Sequence, residues 1–384
     1  MKQILTNKRL IQAQAQAQAK RSFSTTVVAS NKNSKSHIPF PGGEKFSEPV
    51  MKTSSVPGPK SKELSSAINK IQDLRTTNFV ANYEKSSGNW LVDADDNVLL
   101  DTFGQISSIP LGYNHPDFCK LFSDPRSLQR MTSHFINRPS TGVYPPHDYL
   151  QILQESFMRV LPKGTNQVMT MGSGSEAIEN AMKAAFMWYQ NRAHHSKTGN
   201  TPSQEYMDSC MTNQAPGSPD LSILTFTSSF HGRTLGALSA THSKPIHKVD
   251  IPAFKWPIAP FPSLKYPLKE FASENRKEEE RCLAAVEEIL AKSVKGTEYY
   301  GPVAAVLIEP ILAEGGDRHA SPFFFQGLRR LTQQYGVAFI CDEVQSGGGA
   351  TGKFWAHEHW GLGENGPDIV CFSKKMQAAG YYHK

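Results

Sequence analysis

Cysteine is scarce in this sequence of 384 residues, and its five cysteines form no Cys-x-x-Cys pair. They are odd in number and widely spaced: Cys119, Cys210, Cys282, Cys341 and Cys371. This pattern favours neither a disulfide framework nor a metal site, so we expect reduced thiols and no bound metal. No internal repeat of the length that builds solenoids is visible either.

An excess of charge is also absent from the main part of the chain. The whole sequence carries a formal net charge of +6, but residues 1–43 contain seven Lys or Arg and no acidic residue, so the remainder carries −1. A neutral body does not indicate a nucleic-acid partner.

The same acid-free stretch resembles a leader. It combines scattered basic residues with a Gln-Ala repeat over residues 12–19 and a Ser/Thr-rich run after Arg21. These features are typical of a mitochondrial transit peptide, and its apolar runs are too short for a secretory signal or a membrane span. We therefore predict a transit peptide or disordered leader over residues 1–38 and a location in the mitochondrial matrix, with the cytoplasm as the alternative.

Beyond the leader, predicted strands alternate with predicted helices, which is typical of an α/β fold with a largely parallel sheet. A β-hairpin with a polar turn at residues 94–96 indicates a small N-terminal α+β subdomain. We predict a first segment over residues 39–140 and a large domain over residues 141–384, in which helices flank the sheet.

The turn at residues 172–175 stands between a predicted strand and a predicted helix. Its glycines and serines (Gly172, Ser173, Gly174, Ser175) can present N–H and O–H donors to an anion at the helix N-terminus, so a phosphate fits there. A plain helix cap is the alternative. The turn is neither a Gly-x-Gly-x-x-Gly nor a Walker lysine loop, which argues against a dinucleotide or a nucleoside triphosphate.

Four further predicted strands end in residues whose side chains can bind a ligand or react. One delivers Phe230, His231 and Arg233, where an aromatic pair can stack on a planar ring and the guanidinium matches a carboxylate, although packing is the plainer role. The others end in Glu309, Asp342 and Lys374. Ligands of open α/β sheets bind at this edge, and a half-desolvated lysine there can attack a carbonyl carbon, whereas a solvated surface lysine is the alternative. A phosphorylated pyridine aldehyde uses this combination: a phosphate cup, a ring stacker, a carboxylate for the ring nitrogen and a lysine.

Two segments carry a family resemblance: FICDEVQSG at residues 339–347 and DIVCFSK at residues 368–374. Together they resemble the cofactor signature of the class III aminotransferases, which depend on pyridoxal 5'-phosphate and have the type I fold of such enzymes. Flanking segments, including FHGRT at residues 230–234 and GKFWAHEHW at residues 352–360, resemble the branch of this family that acts on 4-aminobutyrate. The resemblance implies transfer of the amino group of 4-aminobutyrate to 2-oxoglutarate, giving succinate semialdehyde and glutamate, in a homodimer.

The resemblance also implies a role for individual residues. Lys374, rather than Lys375, would form the Schiff base with the cofactor and shuttle the proton. Asp342 would pair with the pyridine nitrogen, Gln345 would contact the ring oxygen, and Val344, His231 and Phe230 would surround the ring. Gly172 and Ser173 would hold the phosphate. Arg233 and Ile106 would contact 4-aminobutyrate, and Glu309 would pair with a later arginine.

Two departures from the family pattern qualify these expectations. Met171 and Gly174 stand where some members place the two cysteines of an iron–sulfur cluster, so we predict no cluster. The family continues with a C-terminal domain beyond the position of Lys384, so we expect a truncated chain. Two alternative functions remain: an aminotransferase that acts on another ω-amino acid such as β-alanine, or a truncated polypeptide without catalytic activity.

Overall fold

The computed structural model describes residues 45–384 apart from residues 75, 138–143, 196–198, 200 and 297–299. The predicted leader lies outside the described residues. So does the predicted boundary between residues 140 and 141, which stays a prediction. Within the described ranges, no helix is both long enough and apolar enough to cross a membrane.

The N-terminal part of the described chain contains the predicted hairpin. Strand β1 (Trp90–Val92) pairs with β2 (Val98–Leu100) in antiparallel fashion. The turn between them is closed by Asp93, whose Oδ1 accepts hydrogen bonds from the backbone N–H groups of Asp95 and Asn97. Helix α1 (Pro59–Ile68) precedes the hairpin, and α2 (Pro116–Ser123) and α3 (Pro125–Asn137) follow it.

A seven-stranded mixed sheet dominates the remainder of the described chain. Its strands are β3 (Gln167–Met171), β4 (Ser222–Phe226), β5 (Ile258–Ala259), β6 (Val303–Ile308), β7 (Ala338–Asp342), β8 (Ile369–Phe372) and β9 (Ala379–His383). Their spatial order is β3-β9-β8-β7-β6-β4-β5. The five strands from β8 to β5 run parallel, whereas β9 is antiparallel to both of its neighbours.

Helices connect these strands and cover both faces of the sheet. They are α4 (Tyr149–Glu155), α5 (Gly174–Gln190), α6 (Gln204–Cys210), α7 (Leu235–Ser239), α8 (Ala272–Lys295) and α9 (Pro322–Tyr335). One core cluster joins α8 and α9 to one face, and a second joins α5 to the other. Cys341 and Cys371 lie on adjacent strands but in different clusters, and all five cysteines are free.

The α/β architecture confirms the predicted fold class, but some elements differ from the sequence-based expectations. Strand β9 was not expected, so the sheet is less uniformly parallel than predicted. Residues 191–220 are polar and rich in turn formers, which predicts one long connection, but helix α6 lies within it. The helical spacing of apolar residues over 147–161 predicts one helix, but α4 ends at Glu155 and a separate 3₁₀ turn (Phe157–Val160) follows Ser156.

Candidate active site

The site lies at the carboxyl ends of three neighbouring parallel strands. Glu309 follows β6, Asp342 is the last residue of β7, and Lys374 stands two residues after β8. Because β6, β7 and β8 are adjacent and parallel, these three side chains lie at the same edge of the sheet.

Asp342 is buried and is held from two sides. Its Oδ2 lies 2.8 Å from Nδ1 of His231, and its Oδ1 accepts a hydrogen bond of 3.0 Å from the backbone N–H of Val344. The His231 side chain is completely buried, and no described residue partners its Nε2. Since a carboxylate offers about four acceptor positions, Asp342 can still accept a hydrogen bond from an N–H group of a bound ring.

Lys374 is the lysine that is directed into this cluster. Its Nζ donates to Oε1 of Gln345 at 2.7 Å. Burial lowers the pKa of Lys374 below the ordinary lysine value, and the carboxylates of Asp342 and Glu309 oppose that shift. Its backbone is left-handed, with φ of 50°, a conformation that non-glycine residues adopt mostly where the surroundings impose it.

Lys375 has different partners. Its Nζ donates to two backbone carbonyl oxygens, those of Ser107 (3.2 Å) and Gln345. Burial lowers the pKa of Lys375 to about 8, with a further contribution from the charge of Lys374. The charges of Asp342 and Glu309 act on the Lys374 amine, whereas the Lys375 amine is held by two backbone carbonyls, so the geometry favours Lys374 as the reactive lysine.

Glu309 is buried beside Asp342. Its Oε1 accepts a hydrogen bond of 2.8 Å from the backbone N–H of Phe230. Burial raises the pKa of Glu309 well above its usual value, and the negative charge of Asp342 raises it further. Both effects disfavour the charged form of Glu309 relative to that of an exposed glutamate.

The turn from Phe230 to Arg233 packs against the start of helix α5. Gly232 has φ of +127°, and a Cβ at this position would lie only 2.4 Å from Oγ of Ser175, so glycine is required. The backbone N–H of Arg233 donates to the same Oγ at 3.3 Å, and the Arg233 residue itself is exposed. This close approach brings the predicted carboxylate-binding arginine next to the predicted phosphate cup.

The predicted phosphate cup is a helix cap in the structure, and its role as a phosphate site stays a prediction. Ser173 is the N-cap of α5, and its Oγ accepts from the backbone N–H of Glu176 at 3.2 Å. The Glu176 carboxylate in turn accepts from the backbone N–H of Gly172 at 2.7 Å, which occupies that donor. Within the described residues, the Ser173 hydroxyl hydrogen and the N–H groups of Gly174 and Ser175 remain for an anion, at the positive end of a 17-residue helix.

Gly174 lies in close contact with the strand ends of the site. A Cβ on Gly174 would meet Cγ1 of Val344 at 2.8 Å and Cβ of Ser373 at 3.4 Å. The cup therefore adjoins both the turn after Asp342 and the residue before Lys374. Phosphate donors, an acidic partner and a lysine are thus brought together, and this set of groups fits pyridoxal 5'-phosphate.

Ile106 lies in a strained segment that reaches the lysine turn. The segment Gly104–Ser107 is a short left-handed turn, with positive φ at each of its four residues. The Ile106 side chain is half exposed, and the carbonyl of its neighbour Ser107 accepts from Lys375. The proximity of this segment to Lys375 favours the substrate contact that the resemblance implies for Ile106.

Sequence reasoning missed a buried support beneath the turn at residues 342–346. Glu343 accepts hydrogen bonds from the backbone N–H of His357 (2.7 Å), from the His357 ring (2.9 Å) and from Oγ of Ser346 (2.6 Å). The available signal was a second acidic residue directly after Asp342, at the end of an apolar strand. The Cys341 thiol lies close enough to complete a metal-ligand set, but burial raises its pKa well above the usual value, and the Glu343 carboxylate already binds the His357 ring.

Residues 71–384 match the model of the aminotransferase class-III family. The chain belongs to this family. Among curated relatives, the chain is 52% identical over 339 residues to mouse mitochondrial 4-aminobutyrate aminotransferase, covering 88% of the chain, and 54% identical over 357 residues to 4-aminobutyrate aminotransferase of Dictyostelium discoideum, covering 91%.

This chain also resembles solved structures. It matches lysine aminotransferase from M. tuberculosis with a TM-score of 0.68 and 29% sequence identity, covering 84% of this chain and 68% of that one. The chain spans 65% of the length of the mouse relative and 68% of the Dictyostelium one.

Proposed function

We propose that this class III family member binds pyridoxal 5'-phosphate and transfers the amino group of 4-aminobutyrate to 2-oxoglutarate. The observation that carries the proposal is the convergence of Lys374, Asp342 and the residue 172–175 turn at one sheet edge, in a chain about half identical to enzymes named for 4-aminobutyrate. When bound, pyridoxal 5'-phosphate supplies an electron sink and a carbonyl carbon that accepts amino groups.

The cofactor-binding residues divide the work. Lys374 provides the amine that binds the cofactor and, once released, moves a proton at the reacting carbon. Asp342 keeps the ring nitrogen protonated, and its bond to His231 fixes the carboxylate in position. Phe230 and Val344 would flank the ring, and Gln345 would contact its oxygen.

The buried hydrogen bond between Asp342 and His231 gives His231 a role beyond stacking on the ring, namely to orient the Asp342 carboxylate. A side chain with no exposed surface and with Nδ1 bound to Asp342 acts on the ring through that carboxylate. In the proposal Gly172 and Ser173 line the phosphate site, but the N–H of Gly172 is bound to Glu176. The donors to the phosphate are therefore the Ser173 hydroxyl and the N–H groups of Gly174 and Ser175.

Three residues face the substrate in the proposal. Arg233 is exposed at the site and offers a fork that matches a carboxylate, and Ile106 packs on the carbon chain. Burial and the neighbouring Asp342 raise the pKa of Glu309, which weakens the repulsion between its carboxyl group and the substrate carboxylate. This arrangement suits an acid whose amino and carboxylate groups are separated by several carbons.

We further propose a homodimer and a mitochondrial location. Relatives from mouse and human carry the word mitochondrial in their names, and the composition of residues 1–43 agrees with import. Relatives from Dictyostelium and fungi are named without a compartment, so the cytoplasm remains the alternative.

Cofactor attachment provides the first test. The purified chain is incubated with pyridoxal 5'-phosphate, reduced with borohydride and mapped by peptide mass. Label on Lys374 is expected; label on Lys375 instead, or none, contradicts the proposal.

Substrate recognition is tested by Arg233→Ala. This variant should raise KM for 4-aminobutyrate about 10- to 100-fold, as expected for the loss of a charge-assisted contact of ~1.5–3 kcal/mol, while the label on Lys374 persists. Arg330→Ala, on the exposed side of α9, is the matched control. An unchanged KM in the Arg233→Ala variant would exclude Arg233 from substrate binding. If the unchanged chain prefers β-alanine over 4-aminobutyrate, the substrate is reassigned to β-alanine.

A further inference from the structure

Two side chains in the turn after Lys374 donate hydrogen bonds to backbone carbonyls of a distant segment. The Lys375 Nζ donates to the carbonyl of Ser107 at 3.2 Å, and Nε2 of Gln377 donates to the carbonyl of Ser108 at 2.6 Å. These contacts join positions almost 270 residues apart in the chain. They connect the lysine turn to the stretch that contains Ile106.

The segment at Ile106 needs such support. Gly104, Gln105, Ile106 and Ser107 have φ of 53°, 52°, 57° and 58°, which is unfavourable for the three non-glycine residues. Apolar packing contributes little, since Phe103 is 64% exposed and Ile106 is 52% exposed. A strained and weakly packed segment persists only where neighbouring groups restrain it.

Other contacts restrain the opposite end of the segment. Oδ1 of Asp101 accepts from the backbone N–H groups of Phe103 (2.8 Å) and Gly104 (2.9 Å), and Nε2 of Gln105 donates to the Tyr113 hydroxyl at 3.0 Å. These bonds fix its N-terminal half. Lys375 and Gln377 provide side-chain contacts on the C-terminal half, next to Ile106.

Gln345 links this restraint to the cofactor lysine. Its side-chain oxygen accepts from Lys374, and its backbone oxygen accepts from Lys375. A cation at position 375 therefore holds two chain segments together: the turn that follows Asp342 and the segment that carries Ile106. Charge strengthens such donors relative to neutral ones.

We propose that Lys375 and Gln377 form a clamp on the carbonyls of Ser107 and Ser108, and that Lys375 is a positioning residue that sets the substrate-facing segment relative to Lys374. The clamp rests on the proposed function only for its effect on substrate. Its effect on the segment itself does not depend on catalysis.

Hydrogen exchange measures the clamp without catalysis. Lys375→Met retains the length of the side chain and removes its donors, so the amides of residues 107–109 should exchange at least about tenfold faster than in the unchanged chain. Lys375→Arg should restore slow exchange, because the guanidinium also donates to carbonyls. Lys269→Met is the matched control at an exposed lysine and should leave exchange unchanged. Gln377→Glu, which replaces the donor by a carboxylate, provides a second variant if Lys375→Met does not fold.

Steady-state kinetics and borohydride labelling complete the test. The clamp predicts that Lys375→Met labels at Lys374 like the unchanged chain, while KM for 4-aminobutyrate rises about tenfold and kcat changes by less than about threefold. Unchanged exchange at residues 107–109 in both the Lys375→Met and Gln377→Glu variants would overturn the clamp. Failure of Lys374 to label in the unchanged chain would instead overturn the proposed function and leave the exchange result standing.

Discussion

Replacing Asp368 by asparagine should destabilise the protein by about 3–5 kcal/mol, the usual effect of removing one partner from a buried ion pair. Asp368 accepts two hydrogen bonds from Arg329, of 2.8 and 2.9 Å, one of 2.9 Å from the backbone N–H of Phe339, and one of 2.7 Å from Lys384. The Arg329 side chain is only 6% exposed, so its charge would remain buried without a carboxylate. The substitution also affects the site, because Asp368 precedes β8 and holds the start of β7, the strands that deliver Lys374 and Asp342.

The expected change in melting temperature follows from the size of the described unit. Globular proteins gain ~2.1 cal/mol/K of unfolding entropy per residue, or ~0.7 kcal/mol/K for about 340 residues, so the loss corresponds to about 4–7 °C. Differential scanning calorimetry at one fixed scan rate provides the measurement, since large proteins often unfold irreversibly. Asp250→Asn, at an exposed aspartate with φ of 65°, is the matched control.

The pH dependence of this loss has a definite sign. Burial alone would raise the pKa of Asp368, but the hydrogen bonds and charge of Arg329, with Lys384, outweigh it and leave the pKa below the ordinary aspartate value. A depressed folded-state pKa means that the stabilisation is complete above the unfolded pKa of about 4 and is lost as the pH falls through the folded value. The difference between the unchanged chain and Asp368→Asn should therefore be constant from pH 7 to about 5 and shrink below about 4.

A double variant tests whether the two residues act as a pair. Arg329→Met combined with Asp368→Asn should lose less stability than the sum of the two single losses, since no buried charge is left unpaired. Strictly additive losses, or a change of less than 1 °C in Asp368→Asn, would refute this account of the pair.

Three further predictions concern the site. The rate at which pyridoxal 5'-phosphate attaches to Lys374, followed by absorbance, should rise with pH through a midpoint below the ordinary lysine pKa, since burial favours the neutral amine; a midpoint at or above that value contradicts the environment assigned to Lys374. His231→Phe should lower kcat about 10- to 100-fold through loss of a ~1.5–3 kcal/mol bond to Asp342, and unchanged kcat would exclude an orienting part for His231. Gly174→Ala should weaken cofactor affinity and cost about 1–3 kcal/mol of stability, because the new Cβ would lie 2.8 Å from Val344; unchanged affinity in a titration would contradict the tight packing of the cup.

Most of the candidate site could be predicted from the order of strands along the chain. Strands β6, β7 and β8 are short apolar runs separated by helices or turns, and each has a chemically active side chain at its carboxyl end: Glu309, Asp342 or Lys374. Parallel pairing then puts all three at one edge, whatever the details of the connections.

The missed features depend on contacts between distant parts of the chain. Strand β9 contains glycine and two tyrosines and gains its stability by pairing with both β3 and β8. Gly104–Ser107 is left-handed although local preference disfavours it, and Lys375 restrains it from a remote position. The partnership of Glu343 with His357 joins residues 14 positions apart through a bond that no periodic pattern reveals.

By itself the sequence determined which residues are chemically able to act and, through the alternation of strands and helices, that they meet at the sheet edge. Only the tertiary structure decided how each group is held: that Asp342 is bound by His231, that Lys374 donates to the side chain of Gln345 whereas Lys375 donates to backbone carbonyls, and that the amide of Gly172 is already occupied by Glu176. Residue type and order along the chain specify the available donors and acceptors, whereas their directions and burial arise from packing between segments that the sequence separates.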